Sequence, residues 1–469
     1  MSLRDHPRAY GTAAVAAAFT LGVLVTLGFK DFYPDLERRF QQGRRRFGRR
    51  GAKEEEELGR RSSQFLDPVR LEDHESPDAG AVGPAAAAAA VDHVSGVPPA
   101  VTPPPPAVDG IEGCIGNTPL LRLRSLSAAT GCTILAKAEL LNPGGSPKDR
   151  VALAVIRAAE AEGLLAPGRG DTIYEGTVGS TGISLATLAR ALGYRAHVCM
   201  PDDQSAEKAA LLREMGAAVE RVPVAPIVDP AHYVNLARRR AAEHAAAPAA
   251  RPGSRGFFAD QFETPANARA HQTTTGPEIW AQARGRVDAF VCGAGTGGTL
   301  AGVARHLKRD RGLPVRVVVA DPPGSGLYNL VKHGVLYAHT EKEGTRRRSQ
   351  VDSVVEGVGM NRMTAVLAAG IDLVDDAVAV SDAQACTMAR WLVERDGVFA
   401  GSSSAVNCVA AVATALTLPR GSTVVTVLCD SGFRHLSKFY KKIEEMGLES
   451  ETEETDLIAL LGLEPRKEE

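Results

Sequence analysis

The sequence predicts an α/β fold with mainly parallel sheets and helices on both faces. Three observations carry that prediction. Short β-branched runs alternate with longer Ala- and Leu-rich segments from about Asp109 to Tyr440, the pattern of parallel strands joined by helices. Two glycine-rich stretches, Gly176–Gly182 and Gly293–Gly298, each fall between such a run and the helical segment that follows it. Open parallel sheets bind ligands at strand carboxyl ends, where such turns lie. Aromatic residues are only 5% of the chain, which argues against an all-β shell.

At 469 residues the chain can hold two or three domains. Residues 1–30 read as a membrane anchor: Ala9 to Phe29 is an uncharged run of 21 residues, about 30 Å long as a helix and so matched to a bilayer core. Arginines cluster on its C-terminal side, which the positive-inside rule keeps in the cytosol. Short, moderately apolar anchors with basic flanks resemble those of the mitochondrial outer membrane; the endoplasmic reticulum is the alternative. Residues 31–108 alternate basic and acidic blocks, then alanine and proline runs, and are expected to form a disordered linker. Residues 446–469 form an acidic tail with an amphipathic stretch at Asp456 to Leu463. Lys and Arg balance Asp and Glu to a net charge of −2, which does not point to nucleic acid. The seven cysteines are scattered singly, so neither a disulfide framework nor a metal site is expected, and a reducing compartment is.

Within the folded unit, Asn142-Pro-Gly-Gly-Ser-Pro-Lys148-Asp-Arg150 leads into a helical segment from Val151 to Leu164. Ser146 reads as its N-cap and Pro147 as its first residue. Lys148 then lies at the positive end of a helix dipole, which disfavours its ammonium form and suits Schiff-base chemistry. Strand-to-helix pairs follow at Thr172–Glu175 and Ile183–Leu192, Ala196–Met200 and Ala206–Met215, and Val287–Cys292 and Leu300–Leu307. Val315–Ala320 and Thr423–Leu428 read as further buried strands. Segments 238–256 and 338–350 read as surface insertions. The Glu175–Gly182 turn offers N–H groups and hydroxyls to a carboxylate, and Gly293–Thr299 offers crowded N–H groups to a phosphate. Gly293-x-Gly295-x-x-Gly298 with Asp321 also fits a dinucleotide fingerprint by spacing. Against that stand its late position, a second anion turn before it and a helix-start lysine before both.

These motifs, in this order, resemble the cysteine synthase and cystathionine β-synthase family of fold-type II pyridoxal phosphate enzymes, related in fold to tryptophan synthase β. The resemblance covers about Ile115 to Tyr440 and includes Ile115-Gly-Asn-Thr-Pro-Leu120, Gln261–Asn267, Thr274–Glu278 and Cys429-Asp-Ser431-Gly432. It implies a large cofactor domain (109–153 and 266–445) and a small domain (154–265). It implies that Lys148 holds pyridoxal phosphate as a Schiff base and later removes the substrate's α-proton. Cofactor contacts fall on Ser180, Gly295, Thr296, Gly297, Gly298, Thr299 and Ser431, the last facing the pyridine nitrogen, with Asp430 its rival. Substrate contacts fall on Thr177, Gly179, Thr181 and Gln261. Ser180 and Val178 stand where the family usually carries an asparagine and a serine. The implied reaction is β-replacement on O-acetyl-L-serine by sulfide in a homodimer, making cysteine and acetate. Cystathionine formation and dehydration share the scaffold, and a catalytically weak anchored scaffold is the reading from another class. No heme-ligand Cys-Pro and no C-terminal regulatory domain are evident, which favours the cysteine synthase side.

Overall fold

The computed structural model describes residues 106–204, 206–246, 251–338, 353–448 and 456–466. The expected anchor at 9–29 and nearly all of the linker lie outside the described residues, as does most of the segment 338–350. Among the described residues no helix is long and apolar enough to cross a membrane.

Ten strands form: β1 (Leu120–Arg122), β2 (Thr133–Ala138), β3 (Thr172–Gly176), β4 (Arg195–Pro201), β5 (Ala218–Val222), β6 (Gly256–Phe258), β7 (Ala289–Gly293), β8 (Arg316–Asp321), β9 (Asp376–Ala379) and β10 (Thr423–Leu428). They build a six-stranded sheet, β1-β2-β10-β7-β8-β9, and a four-stranded sheet, β5-β4-β3-β6. Among the described strands only the β1–β2 pair is antiparallel; the other strand pairings are parallel. Parallel strands are buried on both faces and therefore read as continuous apolar runs. β7 is Ala-Phe-Val-Cys-Gly with every residue buried, and β10 is buried from Val424 to Leu428.

The core of the six-stranded sheet is made by Leu126, Ile134, Val291, Val318, Val406 and Val424 on one side and by Phe290, Leu300, Val317 and Val425 on the other. Ser402–Leu416 is a helix buried almost all round, as its Ala- and Val-rich sequence requires. Around the four-stranded sheet, Ile173, Ile183, Leu188, Val198 and Leu212 pack with Val155 and Ile156 of the Lys148–Ala161 helix.

Several expectations are corrected. The helix begins at Lys148 and not at Pro147, and Pro147 is its cap residue. Ser146 still serves this end, because its hydroxyl accepts the Lys148 N–H at 3.3 Å. The segment 238–256 is only in part an insertion: its first residues complete the helix Tyr233–Ala242, which covers the four-stranded sheet, and Gly256 opens β6. Within the acidic tail, the described residues 456–466 dock. Leu457 and Leu461 are buried in the main core, Gln384 Nε2 donates to Leu461 O at 2.8 Å, and Arg466 donates to the Ala415 and Thr130 carbonyls.

Candidate active site

The segments that follow β2, β3, β7 and β10 meet at one cavity of about 1540 Å³, where an open parallel sheet binds its ligand. Lys148, Thr177, Gly179, Ser180, Thr181, Gln261 and Gly295 to Thr299 all line it. Residues more than a hundred positions apart in the sequence thus face a single space.

Lys148 is half-buried, and its side-chain nitrogen has no hydrogen-bond or ion-pair partner among the described residues. Burial lowers its pKa; Cys429, Cys292 and Asp430 oppose this more weakly. The helix N-terminus acts in the same direction as burial. The loop ahead of it is pinned from both ends. Asp149 accepts the Gly144 N–H and the Ser184 hydroxyl, and Asn142 Oδ1 accepts the Gly116 N–H at 2.9 Å. Beneath lies a buried ionic network. Arg150 bonds Glu139 at 2.8 Å and Glu278 at 2.6 Å, and the fully buried Lys137 bonds Glu278 at 2.6 Å. Burial alone would raise the Glu278 carboxyl, but Arg150 and Lys137 overcome it and hold the group at about 2. That stabilisation is present above the usual carboxylate range and is lost as pH falls toward 2. Arg150→Met leaves Glu139 and part of Glu278 as uncompensated buried charge. It should cost about 3–5 kcal/mol of stability, read from denaturant unfolding.

The carboxylate turn is tied to its neighbours through Gln261. The Thr181 hydroxyl donates to Gln261 Oε1 at 2.6 Å, and Gln261 Nε2 donates to Glu175 Oε1 at 3.1 Å. Asn267 joins this turn to the glycine loop, donating from Nδ2 to Gln261 O at 2.7 Å and to Thr296 Oγ1 at 2.9 Å. That joint was hidden in the sequence, although Asn267 closes the quoted Gln261–Asn267 motif.

The glycine loop admits only glycine at its three tightest points. A Cβ on Gly295 would overlap the Gly357 carbonyl, and one on Gly298 the Asn267 amide. Gly297 has φ +90° and leads into the helix Gly298–Ala304. Behind it, His271 Nε2 lies 3.2 Å from Thr299 Oγ1 and Nδ1 lies 2.9 Å from Thr275 Oγ1. Burial drives the His271 pKa far down, so the ring is neutral and orients the Thr299 hydroxyl without adding charge. A cradle of main-chain donors with no room for side chains fits a phosphate. The neighbouring half-buried amine fits an aldehyde. The residues present therefore suit pyridoxal phosphate.

Ser431 is the exception. It does not line the cavity; its hydroxyl accepts the Phe433 N–H at 3.3 Å. Cys429, Asp430 and Ser403 face the cavity there instead. Asp430 Oδ2 lies 3.0 Å from His435 Nε2, and Oδ1 is buried without a partner among the described residues. Burial pushes the Cys429 thiol up to about 11 and the Cys292 thiol well above its usual value, so both are neutral. Asp321, the would-be ribose ligand, lies outside the cavity. It accepts the Tyr328 N–H at 2.7 Å at the start of the helix Leu327–His333.

Two parallel sheets, a half-buried lysine at a helix start and a glycine phosphate cradle define an enzyme built around pyridoxal phosphate. Residues 111–430 match the family described as "Pyridoxal-phosphate dependent enzyme". "Cysteine synthase 2" of Neurospora crassa is 60% identical over 480 residues, covering all of both chains. "Putative mitochondrial cysteine synthase" of Saccharomyces cerevisiae is 53% identical over 346 residues, 74% of this chain and 87% of that one. The crystal structure of O-ureido-L-serine synthase superposes with a TM-score of 0.62 at 33% identity, covering 74% of this chain and 98% of that one. The chain belongs to the pyridoxal-phosphate dependent enzyme family, in its cysteine synthase branch.

Proposed function

We propose that the protein is a cysteine synthase, replacing the acetate of O-acetyl-L-serine by sulfide. The Cβ–O bond breaks, a Cβ–S bond forms, and L-cysteine and acetate leave. The observation that carries this reading is the convergence of Lys148, the Thr177–Thr181 turn with Gln261, and the Gly295–Thr299 cradle on one cavity. The relatives named cysteine synthase support it.

Pyridoxal phosphate, when bound, supplies the electron-withdrawing ring that accommodates negative charge at the amino acid's α-carbon. Gly295 to Thr299 would hold its phosphate. Thr177, Gly179 and Thr181, with Gln261, would hold the amino acid's carboxylate and so aim its α-proton, while Ser180 would face the cofactor. Lys148 Nζ would hold the cofactor's aldehyde, and as a free amine it is placed to take the α-proton as a general base. Its lowered pKa keeps more of it as free amine near neutrality. The Ser431 hydroxyl accepts the Phe433 N–H and keeps its own O–H to donate, but it lies outside the cavity, which Asp430 and Cys429 line.

Purified full chain loaded with cofactor should make cysteine from O-acetylserine and sulfide at least about tenfold faster than cystathionine from serine and homocysteine. A faster second reaction would overturn the assignment. Ser180→Asn should leave the first rate equal or higher.

We also propose that residues 9–29 anchor the enzyme in the mitochondrial outer membrane with its cavity in the cytosol, as a homodimer. The uncharged run, its basic flank and the yeast relative's name support this. Deleting residues 1–30 should release an active, dimer-sized enzyme from mitochondria, and protease should cleave the full chain on intact organelles. Protection until the outer membrane is ruptured would sink the topology.

A further inference from the structure

Glu175, near the end of β3, lies directly behind the carboxylate turn. It is 1% exposed. Its Oε2 has no hydrogen-bond partner among the described residues. Its Oε1 accepts Gln261 Nε2 at 3.1 Å, and the Gly176 carbonyl competes for the same amide at 3.3 Å. The other end of that amide takes the Thr181 hydroxyl. Gln261 and Thr181 line the cavity, while Glu175 does not. Both polar ends of Gln261 are therefore occupied inside the protein, and a substrate carboxylate must win an N–H from Glu175 or from the Gly176 carbonyl.

We infer that Glu175 is a positioning residue that works as a neutral acid: neutral, it releases the Gln261 N–H it accepts to the substrate's carboxylate; ionised, it holds that N–H back and repels the carboxylate. The inference rests on the proposed role of Gln261 and Thr181 at the carboxylate. The geometry favours the neutral form, because an ionised carboxylate with one oxygen unpaired in the interior is costly. The groups facing Glu175 offer no cation in contact. From the loop after β6 come Asp260, itself 3.3 Å from Arg238, and Gln261. From β4 comes Cys199, and from the covering helix comes Tyr233, with Arg362 beyond it. Burial first, and then the Asp260 charge, push the Glu175 carboxyl up to about 8, against the Gln261 side chain and the Asp260 and Gln261 main-chain N–H groups. A hydrogen bond to an ionised acceptor is about twice as strong as one to a neutral acceptor. The grip on Gln261 therefore tightens as pH rises through 8, and affinity for the amino acid falls over the same interval.

The test uses cofactor-loaded full chain and L-serine as probe, with L-serinamide, which lacks the carboxylate, as control. Dissociation constants are read from the cofactor spectrum at pH 7 and pH 9. Ionisation of the probe itself is common to every variant and cancels in the comparison. Between these values the neutral fraction of a group titrating near 8 drops about tenfold. Wild type should therefore lose about tenfold more L-serine affinity than Glu175→Gln, with no such difference for L-serinamide. Asp260→Asn keeps Glu175 and removes a charge that raises its pKa, so the fall in affinity should move to lower pH. Equal pH dependence in wild type and Glu175→Gln, or an unmoved fall in Asp260→Asn, overturns the inference. Gln261→Ala separates this from the underlying reading. It should weaken L-serine and spare L-serinamide at pH 7; if it spares both, the carboxylate site itself is misplaced.

Discussion

Lys148→Ala should remove turnover by at least about 10³-fold and leave the fold intact. The lost amine has two jobs, anchoring the aldehyde and moving the α-proton, and general-base catalysis alone is worth about 10²–10⁴. The expected loss corresponds to about 4 kcal/mol or more of transition-state stabilisation. Stability should change little, since the amine makes no hydrogen bond or ion pair with the described residues, and its loop is held by Asn142 and Asp149. Lys148→Arg separates charge from nucleophilicity. It keeps a cation at the helix start but never a free amine, so its activity should fall as far as that of the alanine variant. The checks are steady-state rates and borohydride reduction, which fixes cofactor covalently only where an amine holds it. Retention of borohydride-fixed cofactor by Lys148→Ala would remove Lys148 from the assignment.

What the sequence showed, and what it hid, follows from burial. β10 was legible to its end residues because Thr423–Leu428 is one unbroken β-branched and apolar run. β2 lies beside it and was not legible. Its Thr-Ile-Leu-Ala-Lys-Ala pattern carries Lys137, fully buried, whose partners Glu278 and Gln282 lie far along the chain. Periodicity cannot foresee a buried charge whose compensation is tertiary. The edge strands β1, β5, β6 and β9 were also silent, being short and only partly buried. In the site, glycine-rich turns were legible because their conformations and close approaches need glycine. Ser431 shows the limit. A motif fixes which residue stands at a position and not where its side chain points: Cys429 and Asp430 face the cavity, while the Ser431 hydroxyl turns back to cap the turn Gly432–Arg434. Asn267 and His271 act through Thr296 and Thr299, so their roles emerge only when helix and loop are brought together.

Gly297→Asp should weaken pyridoxal phosphate binding by at least about 10³-fold. Two independent effects add. At φ +90° a side chain is strained, and a Cβ there would meet Leu367 Cα at 2.8 Å, which together cost about 1–3 kcal/mol. A carboxylate would also stand among the donors meant for the phosphate. Two unit charges of like sign 4 Å apart repel by about 4 kcal/mol at an effective dielectric constant of 20. Their sum, about 5–7 kcal/mol, corresponds to about 10⁴–10⁵-fold, so about 10³-fold is the least loss expected. Gly297→Ala carries the strain without the charge, so its loss should be nearer tenfold, and the excess of aspartate over alanine reports the ligand's charge at this loop. Equilibrium dialysis against pyridoxal phosphate gives both numbers, and circular dichroism checks that the sheets remain. Equal losses in the two variants would mean that no anion sits in the cradle. Tight, saturable binding of a nicotinamide dinucleotide to wild type would return the loop to its rival reading, a result that Asp321 opposes because its carboxylate lies outside the cavity and serves the Tyr328 N–H.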